Sequence, residues 1–390
     1  MFQTIPFSRM NIFKKPISAV ANGITSITSN EVADTNGGGH HHQHHHHQHD
    51  HHHHHEEKEE EEEEVTSPRK SQIVVKVSPQ KQRDNFNELN EIESQRIIEG
   101  LNNPDTSIWA LTSGISRANR SRNRYTNVTP WDRTRVKLPV IDDSLYSDYI
   151  NASHIHLRTS RNKVCNRYIA CQGPLESTIN HFWAMAFNES EHQGNDVVVI
   201  VMVTPLVENG MIKCDKYWPE LDETWEFGQE NKQDGINLEE LSIKNVREDA
   251  NESDDYVVTE LELTANGKTK KVYHFYYFKW ADAKTPPSIQ PLSDLSSRID
   301  EIRENLTDSE NHLVPIVHCS AGVGRSGTFI VYDHLFRDVD VFRTLARADG
   351  ISDKDLVYQA VCQLRSQRMM MVQTVYQYKF LYDVARTFYK

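Results

Sequence analysis

A cysteine and an arginine, Cys319 and Arg325, lie six residues apart in the glycine-rich stretch His-Cys-Ser-Ala-Gly-Val-Gly-Arg-Ser-Gly-Thr. Residues 314–317 predict a buried strand before it, and residues 329–332 begin a helical pattern after it. Glycines let such a loop bend tightly, so that several backbone N–H groups point at one spot at the start of a helix. Those dipoles favour a thiolate, and a guanidinium can bind two phosphate oxygens. The stretch therefore predicts a site that cleaves phosphate esters.

Two other interpretations fit this stretch less well. A buried structural cysteine in a glycine-rich turn would not require an arginine at the focus of the loop. A sulfur-transferring cysteine loop would not call for the combination of His318 and Cys319 with Arg325 and Ser326.

The 390-residue chain is acidic, with a formal net charge of −13. Eight glutamates and one lysine at residues 56–64 contribute −7, which leaves −6 for the rest. This balance argues against nucleic acid as the main partner. A locally basic cleft can still bind an anion within an acidic protein.

The cysteines indicate a reducing compartment. They are odd in number, irregularly spaced and free of any CxxC motif or secretory segment, so we expect neither disulfides nor a structural zinc site. The longest apolar run, residues 197–203, is too short to cross a bilayer. We therefore predict a protein of the cytosol or nucleus that does not engage a membrane. The five cysteines are Cys165, Cys171, Cys214, Cys319 and Cys362.

Residues 1–83 are predicted to form a disordered, low-complexity region, and residues 84–390 a globular catalytic domain. A His/Gln tract at residues 40–55 runs into the glutamate block. It could bind zinc or nickel, although a solvated linker is the favoured interpretation. Residues 1–30 contain no acidic residue, which fits a mitochondrial presequence or, as we prefer, a disordered tail.

Two serine–proline pairs, at Ser67 and Ser78, each have a lysine two residues after the proline. This spacing is similar to the target of proline-directed kinases of the cell-cycle type. Because the motif is short and common, a kinase partner acting on these serines is a hypothesis.

Apolar periodicity predicts the elements of the globular part. Residues 196–203 predict a buried strand, and residues 257–264 and 272–278 predict a hairpin about Asn266-Gly267. Apolar residues at three- and four-residue steps over residues 292–306 predict an amphipathic helix. The irregular mixture indicates an α/β (α+β) single domain with one highly twisted, mixed central sheet flanked by helices.

The globular part resembles a protein tyrosine phosphatase of the cytosolic, non-receptor type. Short motifs are weak singly, but here many of them follow one another in the family's order. They lie at residues 123–125, 148–153, 172–174, 181–183, 213–219, 318–328 and 373–377. The resemblance implies the phosphatase fold, and hydrolysis of phosphotyrosine in proteins without a cofactor, reversing tyrosine-kinase signalling.

The resemblance also implies catalytic roles. Cys319 would attack phosphorus and form a phosphocysteine, and Arg325 would stabilise charge on the equatorial oxygens. Asp282 would protonate the leaving phenol and later deprotonate the water, which Gln373 would position. Ser326 would stabilise the departing thiolate, and His318 would order the cysteine.

Further positions match the family's substrate-binding and supporting residues. Tyr125 would line the cleft and stack on the substrate ring, which gives the depth that selects phosphotyrosine. Glu208 would orient Arg325, and Arg365 would be a second basic group near the pocket mouth. The other substrate-binding residues are Ser320, Ala321, Gly322, Val323, Gly324, Asn127 and Gln377, and the other supporting residues are Lys213 and Trp280.

The chain departs from the family pattern mainly in the loop that carries the acid. Ala281 replaces a usual proline, which frees backbone in the open loop at about 0.4–1 kcal/mol. Ala283 and Lys284 replace an aromatic residue and a glycine. Outside this loop, Asn127 replaces a usual aspartate. Met370 replaces a usual glycine, and its larger side chain would narrow the mouth of the cleft.

These departures define the rival interpretations. A catalytically weakened pseudophosphatase that only binds phosphotyrosine proteins would explain the altered acid loop. A dual-specificity enzyme is a third alternative, but Tyr125 indicates a cleft too deep for it.

Overall fold

A computed structural model describes residues 74–159, 165–250, 255–305, 313–347 and 355–390. The His/Gln and Glu tracts, residues 1–30 and Ser67 lie outside them. No helix in the described ranges is both long and apolar enough to cross a membrane.

A nine-stranded sheet runs through the described part of the chain in the order β1-β2-β3-β11-β4-β10-β9-β8-β7. A separate hairpin pairs β5 with β6. The strands are β1 (Arg135–Lys137), β2 (Tyr149–Arg158), β3 (Cys165–Cys171), β4 (Val197–Met202), β5 (Val207–Glu208), β6 (Met211–Ile212), β7 (Thr224–Glu226), β8 (Ser242–Ala250), β9 (Tyr256–Ala265), β10 (Lys268–Tyr277) and β11 (Ile316–His318).

The four central strands are parallel, and the outer strands pair antiparallel. β11 pairs with β3 on one side and β4 on the other, and β4 pairs with β10. Because these strands are parallel, their carboxyl ends meet at one edge of the sheet, where ligands bind in open α/β sheets. The mixed sheet confirms the predicted fold class.

Helices cover both faces of the sheet. Alternate residues of β4 enter opposite cores, with Val199 on one side and Ile200 on the other. The helix α3 packs on the Ile200 side, and α5, α6, α8 and α9 pack on the Val199 side. The helices are α1 (Pro79–Asn102), α2 (Thr112–Ile115), α3 (Ile179–Gln193), α4 (Gly228–Asp234), α5 (Gln290–Asn305), α6 (Gly324–Phe336), α7 (Val339–Arg347), α8 (Leu356–Gln367) and α9 (Val375–Tyr389).

The described residues include ten positions before the predicted boundary at residue 84. Val74 and Val77 are buried in the main core, and the Ser78 hydroxyl caps α1 by accepting from the Lys81 N–H at 3.2 Å. These two isolated valines contribute to the core before residue 84, although they have no periodic pattern to reveal them.

The predicted periodic elements are confirmed. β9 and β10 form the hairpin about Asn266 and Gly267, both of which have positive φ. The amphipathic pattern over residues 292–306 is α5, which buries Leu292, Leu295 and Ile299.

Candidate active site

The predicted site residues gather at the carboxyl edge of the parallel strands. Cys319 follows β11, and Asp282 lies in the loop after β10. Glu208 and Lys213 lie in and after the hairpin that follows β4. The topology thus brings together side chains that are more than 100 positions apart in the chain.

The loop over residues 319–324, called here the phosphate loop, has its carbonyl groups turned away from the cysteine. Ser320 O accepts from the Gly173 N–H at 2.9 Å, and Val323 O accepts from the Val372 N–H at 3.0 Å. Between them, the carbonyls of Ala321 and Gly322 accept from a buried arginine, Arg368. In a trans peptide the next N–H points opposite to the carbonyl. The N–H groups of residues 321–324 therefore face the inside of the loop.

Gly322 is required by this geometry. Its φ is +74°, and a Cβ there would lie 2.0 Å from the carbonyl oxygen of Cys171 on β3. A side chain would meet backbone that cannot move without breaking the sheet.

The surroundings of Cys319 favour its thiolate. Burial alone would raise the pKa of the thiol, but the charge of Arg325 and hydrogen bonds from Ser326 and Gly322 together hold that pKa below its ordinary value. The buried Ser326 hydroxyl makes no hydrogen bond to a nitrogen or oxygen of the described residues. It can therefore donate to the Cys319 sulfur. A thiolate at neutral pH is the form that acts as a nucleophile.

Arg325 is fixed at one end and open at the other. Its side chain is 1% exposed, and Nη1 donates to the Trp280 carbonyl at 2.8 Å. Nε and Nη2 are buried and make no hydrogen bond to any residue that the structure describes. Glu208 lies 3.7 Å from Nη1, an ion-pair distance. Nε and Nη2 form the edge of the guanidinium that can bind two oxygens of one anion.

Asp282 lies against this arginine. Its Oδ1 lies 3.3 Å from Arg325 Nη2, and its Oδ2 accepts from Lys213 Nζ at 2.9 Å. Glu208 Oε1 accepts from the backbone N–H of Asp282 at 2.9 Å, so Glu208 holds the acid loop as well as facing Arg325. Burial raises the pKa of Asp282, but Lys213 and Arg325 outweigh it and lower that pKa overall. Without a bound anion the group is a carboxylate.

Two glutamines lie beside the phosphate loop. The Gln373 and Gln377 side-chain atoms sit 3.1 and 3.2 Å from where a Cβ on Gly324 would be. Gln377 is buried, and its Oε1 accepts from the Gln373 N–H at 3.1 Å. Gln377 Nε2 donates to Lys284 O at 3.4 Å, which links this turn to the acid loop.

Arg365 is not at the pocket mouth, which corrects the prediction for it. Its side chain is buried and donates to the carbonyls of Met371 and Val372, just before Gln373. Met370 and Val372 have φ near +60°, a strained conformation for non-glycine residues. Arg365 supports the turn that presents Gln373, because it satisfies the carbonyls of that strained segment.

Tyr125 stands beside the phosphate loop. Its hydroxyl is 2.8 Å from Ser320 Oγ, which in turn donates to the Lys213 carbonyl at 2.7 Å. Asn127 lies exposed in the turn closed by the bond from the Val128 N–H to Tyr125 O. Tyr125 is therefore placed to form a wall of the cleft.

His318 is the last residue of a buried hydrogen-bonded chain. Its Nδ1 lies 3.0 Å from Cys319 O, which can only accept, and burial lowers its pKa to about 4. The neutral ring therefore leaves Nε2 bare to accept from the Tyr217 hydroxyl at 2.6 Å. Tyr217 in turn lies 2.7 Å from His274 Nε2. This series of hydrogen bonds ends at the Cys319 carbonyl and so holds the backbone of Cys319 in place.

Sequence reasoning missed three residues that hold the site. Arg368, Arg124 and Tyr217 make their bonds to segments far away in the chain, and no local pattern distinguishes them. Arg124 donates to the carbonyls of Gly173 and Pro174 and pairs with Asp215 at 2.7 Å. The motif blocks at residues 123–125 and 213–219 contained two of the three, but their roles were not apparent.

Comparisons with known proteins agree with this geometry. The family model "Protein-tyrosine phosphatase" matches residues 119–387. Tyrosine-protein phosphatase 1 of Saccharomyces cerevisiae is 36% identical over 75% of this chain and 90% of that protein. Tyrosine-protein phosphatase 2 of Schizosaccharomyces pombe is 37% identical over 77% of this chain, which spans 38% of that protein. The solved catalytic domain of human protein tyrosine phosphatase non-receptor type 18 has 27% identity and a TM-score of 0.61, covering 79% of this chain and 96% of that one.

Proposed function

The chain belongs to the protein-tyrosine phosphatase family, and we propose that it hydrolyses phosphotyrosine in proteins through a cysteinyl-phosphate intermediate. The buried edge of Arg325, whose Nε and Nη2 make no hydrogen bond to the described residues, lies beside a thiol of lowered pKa, and this is the observation that carries the proposal. It provides a nucleophile and an anion site at one point. Solved structures of a similar protein, PTPN18, include one in complex with HER2-pY1196 phosphopeptides, which supports phosphotyrosine-containing proteins as substrates.

In the first step the Cys319 thiolate attacks phosphorus, the S–P bond forms and the bond to the tyrosine oxygen breaks. Arg325 and the N–H groups of residues 321–324 bind the equatorial oxygens as charge develops on them. The phenol, with a pKa of about 10, departs best with a proton. Asp282 gives that proton once the bound dianion offsets Lys213 and Arg325 and raises its pKa.

In the second step water attacks the phosphocysteine and releases phosphate. Asp282, now ionised, takes a proton from the water, and Gln373 holds the water in line. The Ser326 hydroxyl stabilises the departing thiolate, which is the same contact that lowers the pKa of the free thiol.

Hydrolysis of p-nitrophenyl phosphate and of phosphotyrosine and phosphothreonine peptides tests the proposal. We expect turnover of the first two and rates at least about 100-fold lower on phosphothreonine, whose shorter side chain does not reach Cys319. Binding of phosphotyrosine peptide without turnover by the wild type would instead support the pseudophosphatase. Comparable rates on both peptides would support the dual-specificity alternative.

Several broader expectations belong to the same proposal. A catalytic thiolate needs a reducing compartment, which supports the cytosol or nucleus. Imaging of a fluorescent fusion tests this location, and mitochondrial signal would overturn it. On its substrates the enzyme would oppose tyrosine kinases.

The kinase hypothesis is a separate part of the proposal. Ser78 is exposed, which supports access for a proline-directed kinase, whereas Ser67 lies outside the described residues. Phosphopeptide mass spectrometry through the cell cycle tests it, and serines that stay unmodified would remove it.

A further inference from the structure

The hairpin that follows β4 has two chemically different faces. β5 and β6 are joined by Asn209 and Gly210, whose φ values of 51° and 75° suit a tight two-residue turn. Val207 pairs with Ile212, and Glu208 pairs with Met211. Directly paired side chains share a face, and successive residues alternate between faces.

One face of this hairpin is part of the catalytic cleft. Glu208 accepts from the backbone N–H of Asp282, and Lys213 pairs with the Asp282 carboxylate. Met211 is the cross-strand partner of Glu208 and lies two residues before Lys213. Met211 therefore shares the face of the two residues that hold the catalytic acid.

Met211 is a large apolar side chain that belongs to none of the hydrophobic cores of the described residues. It is 60% exposed, although it adjoins a charged cluster where a polar residue would be solvated without cost. Val207 and Ile212 are 56% and 59% exposed, but they lie on the opposite face. Both faces of the hairpin thus present exposed apolar residues, but only Met211 lies on the face of Glu208 and Lys213.

We propose that Met211 is a specificity-determining residue that contacts an aliphatic or aromatic side chain flanking the phosphotyrosine of the substrate. Continuity with the cleft selects this occupant, because Met211 shares a face with Glu208, and Glu208 binds the backbone of Asp282, which lies 3.3 Å from Arg325 at the anion site. Methionine is flexible and polarisable, so it suits apolar side chains of varied shape. The inference rests on the proposed function.

The test compares Met211→Glu with Ile212→Glu, a matched substitution one residue away on the other face. Substrates are p-nitrophenyl phosphate and phosphotyrosine peptides in which one leucine moves through the flanking positions of a serine background. We expect the wild type to prefer leucine at one or two positions by about three- to tenfold in kcat/KM. Met211→Glu should abolish that preference, and Ile212→Glu should retain it.

Each other result has a defined meaning. The inference is overturned if wild type and Met211→Glu prefer leucine equally. It is also overturned if Ile212→Glu loses the preference for leucine as completely as Met211→Glu does. A wild type that hydrolyses p-nitrophenyl phosphate but no phosphotyrosine peptide overturns the proposed function instead.

If Met211→Glu also loses turnover of p-nitrophenyl phosphate, Met211→Ser replaces it, and a preference for leucine that is retained in Met211→Ser counts against the inference. Size-exclusion chromatography that shows Met211-dependent self-association would assign the residue to a second copy of the chain and likewise overturn the inference.

Discussion

The phosphate loop and the acid loop over residues 280–286 serve one reaction but are held in different ways. In the phosphate loop, four successive carbonyls are bound by Gly173, by Arg368 and by the turn at Val372. The Asp282 side chain is 46% exposed and accepts a hydrogen bond from Lys213, while the Asp282 backbone N–H donates to Glu208. The proposed anion site is thus built into the core, whereas the proposed proton donor lies in a surface loop.

The difference matches where the chain departs from the family pattern. The phosphate loop keeps every expected residue, and the changes at Ala281, Ala283 and Lys284 lie in the acid loop. Ala283 has φ +56°, which a residue with a side chain rarely adopts. A buried loop with many partners tolerates few substitutions, while an exposed one can vary as long as its carboxylate still reaches the leaving group.

Removal of the nucleophile should have the largest effect. Cys319→Ser replaces a thiolate with a hydroxyl that stays protonated, so we expect kcat to fall by at least about 10⁴-fold. Binding of phosphotyrosine peptide should persist, because Arg325 and the N–H groups are untouched. Single-turnover kinetics and calorimetry measure both quantities, and residual activity within tenfold of wild type would contradict the assignment of Cys319.

Removal of the acid should have the next largest effect. Asp282→Asn should lower kcat by about 10²–10⁴-fold on phosphotyrosine peptide, and by less on p-nitrophenyl phosphate, whose phenol leaves more easily unprotonated. In wild type, kcat should fall as rising pH ionises Asp282 in the complex, and this alkaline limb should disappear in the variant. The pH profile of kcat checks this, and an unchanged limb would assign it to another group.

Ser326→Ala should affect the thiol rather than the fold. The hydroxyl lowers the pKa of Cys319, so its removal should raise that pKa. The pH at which iodoacetate inactivation reaches half its maximum rate should move upward, and the second step should slow. Ser326→Thr keeps a hydroxyl and is the control. The same pH midpoint in the Ser326→Ala variant and the wild type would rule out the contact.

Restoration of the usual proline should have the smallest effect and sharpens the comparison most directly. Ala281→Pro should reduce the freedom of the open loop by about 0.4–1 kcal/mol, which is a two- to fivefold change in the closed population. We expect kcat to rise within that range on phosphotyrosine peptide. When Ala281→Pro is added to the Cys319→Ser variant, the affinity of that variant for the peptide should change little. A fall in kcat would mean that the backbone at Ala281 cannot accept the ring.

The sequence alone predicted the chemistry of the site and determined the general fold. The Cys-x5-Arg spacing, the glycines of the loop and the strand and helix periods around it are local patterns, and each is set by backbone geometry over a few residues. Asp282 and Gln373 followed from short motifs in a fixed order. The paired strands about Asn266-Gly267 and the helix over Gln290–Asn305 appeared as their periodicity indicated.

Only the tertiary structure decided what holds these parts in place. Arg368, Tyr217 and His274 bind segments that lie more than 40 positions away in the chain, and Arg365 turned inward to support the Gln373 turn. The packing of Val74 into the main core and the hydrogen bond that joins Asp282 to Glu208, the cross-strand partner of Met211, likewise depend on distant contacts. A local pattern records the backbone conformation of its own residues, whereas these assignments depend on which strands the sheet sets side by side.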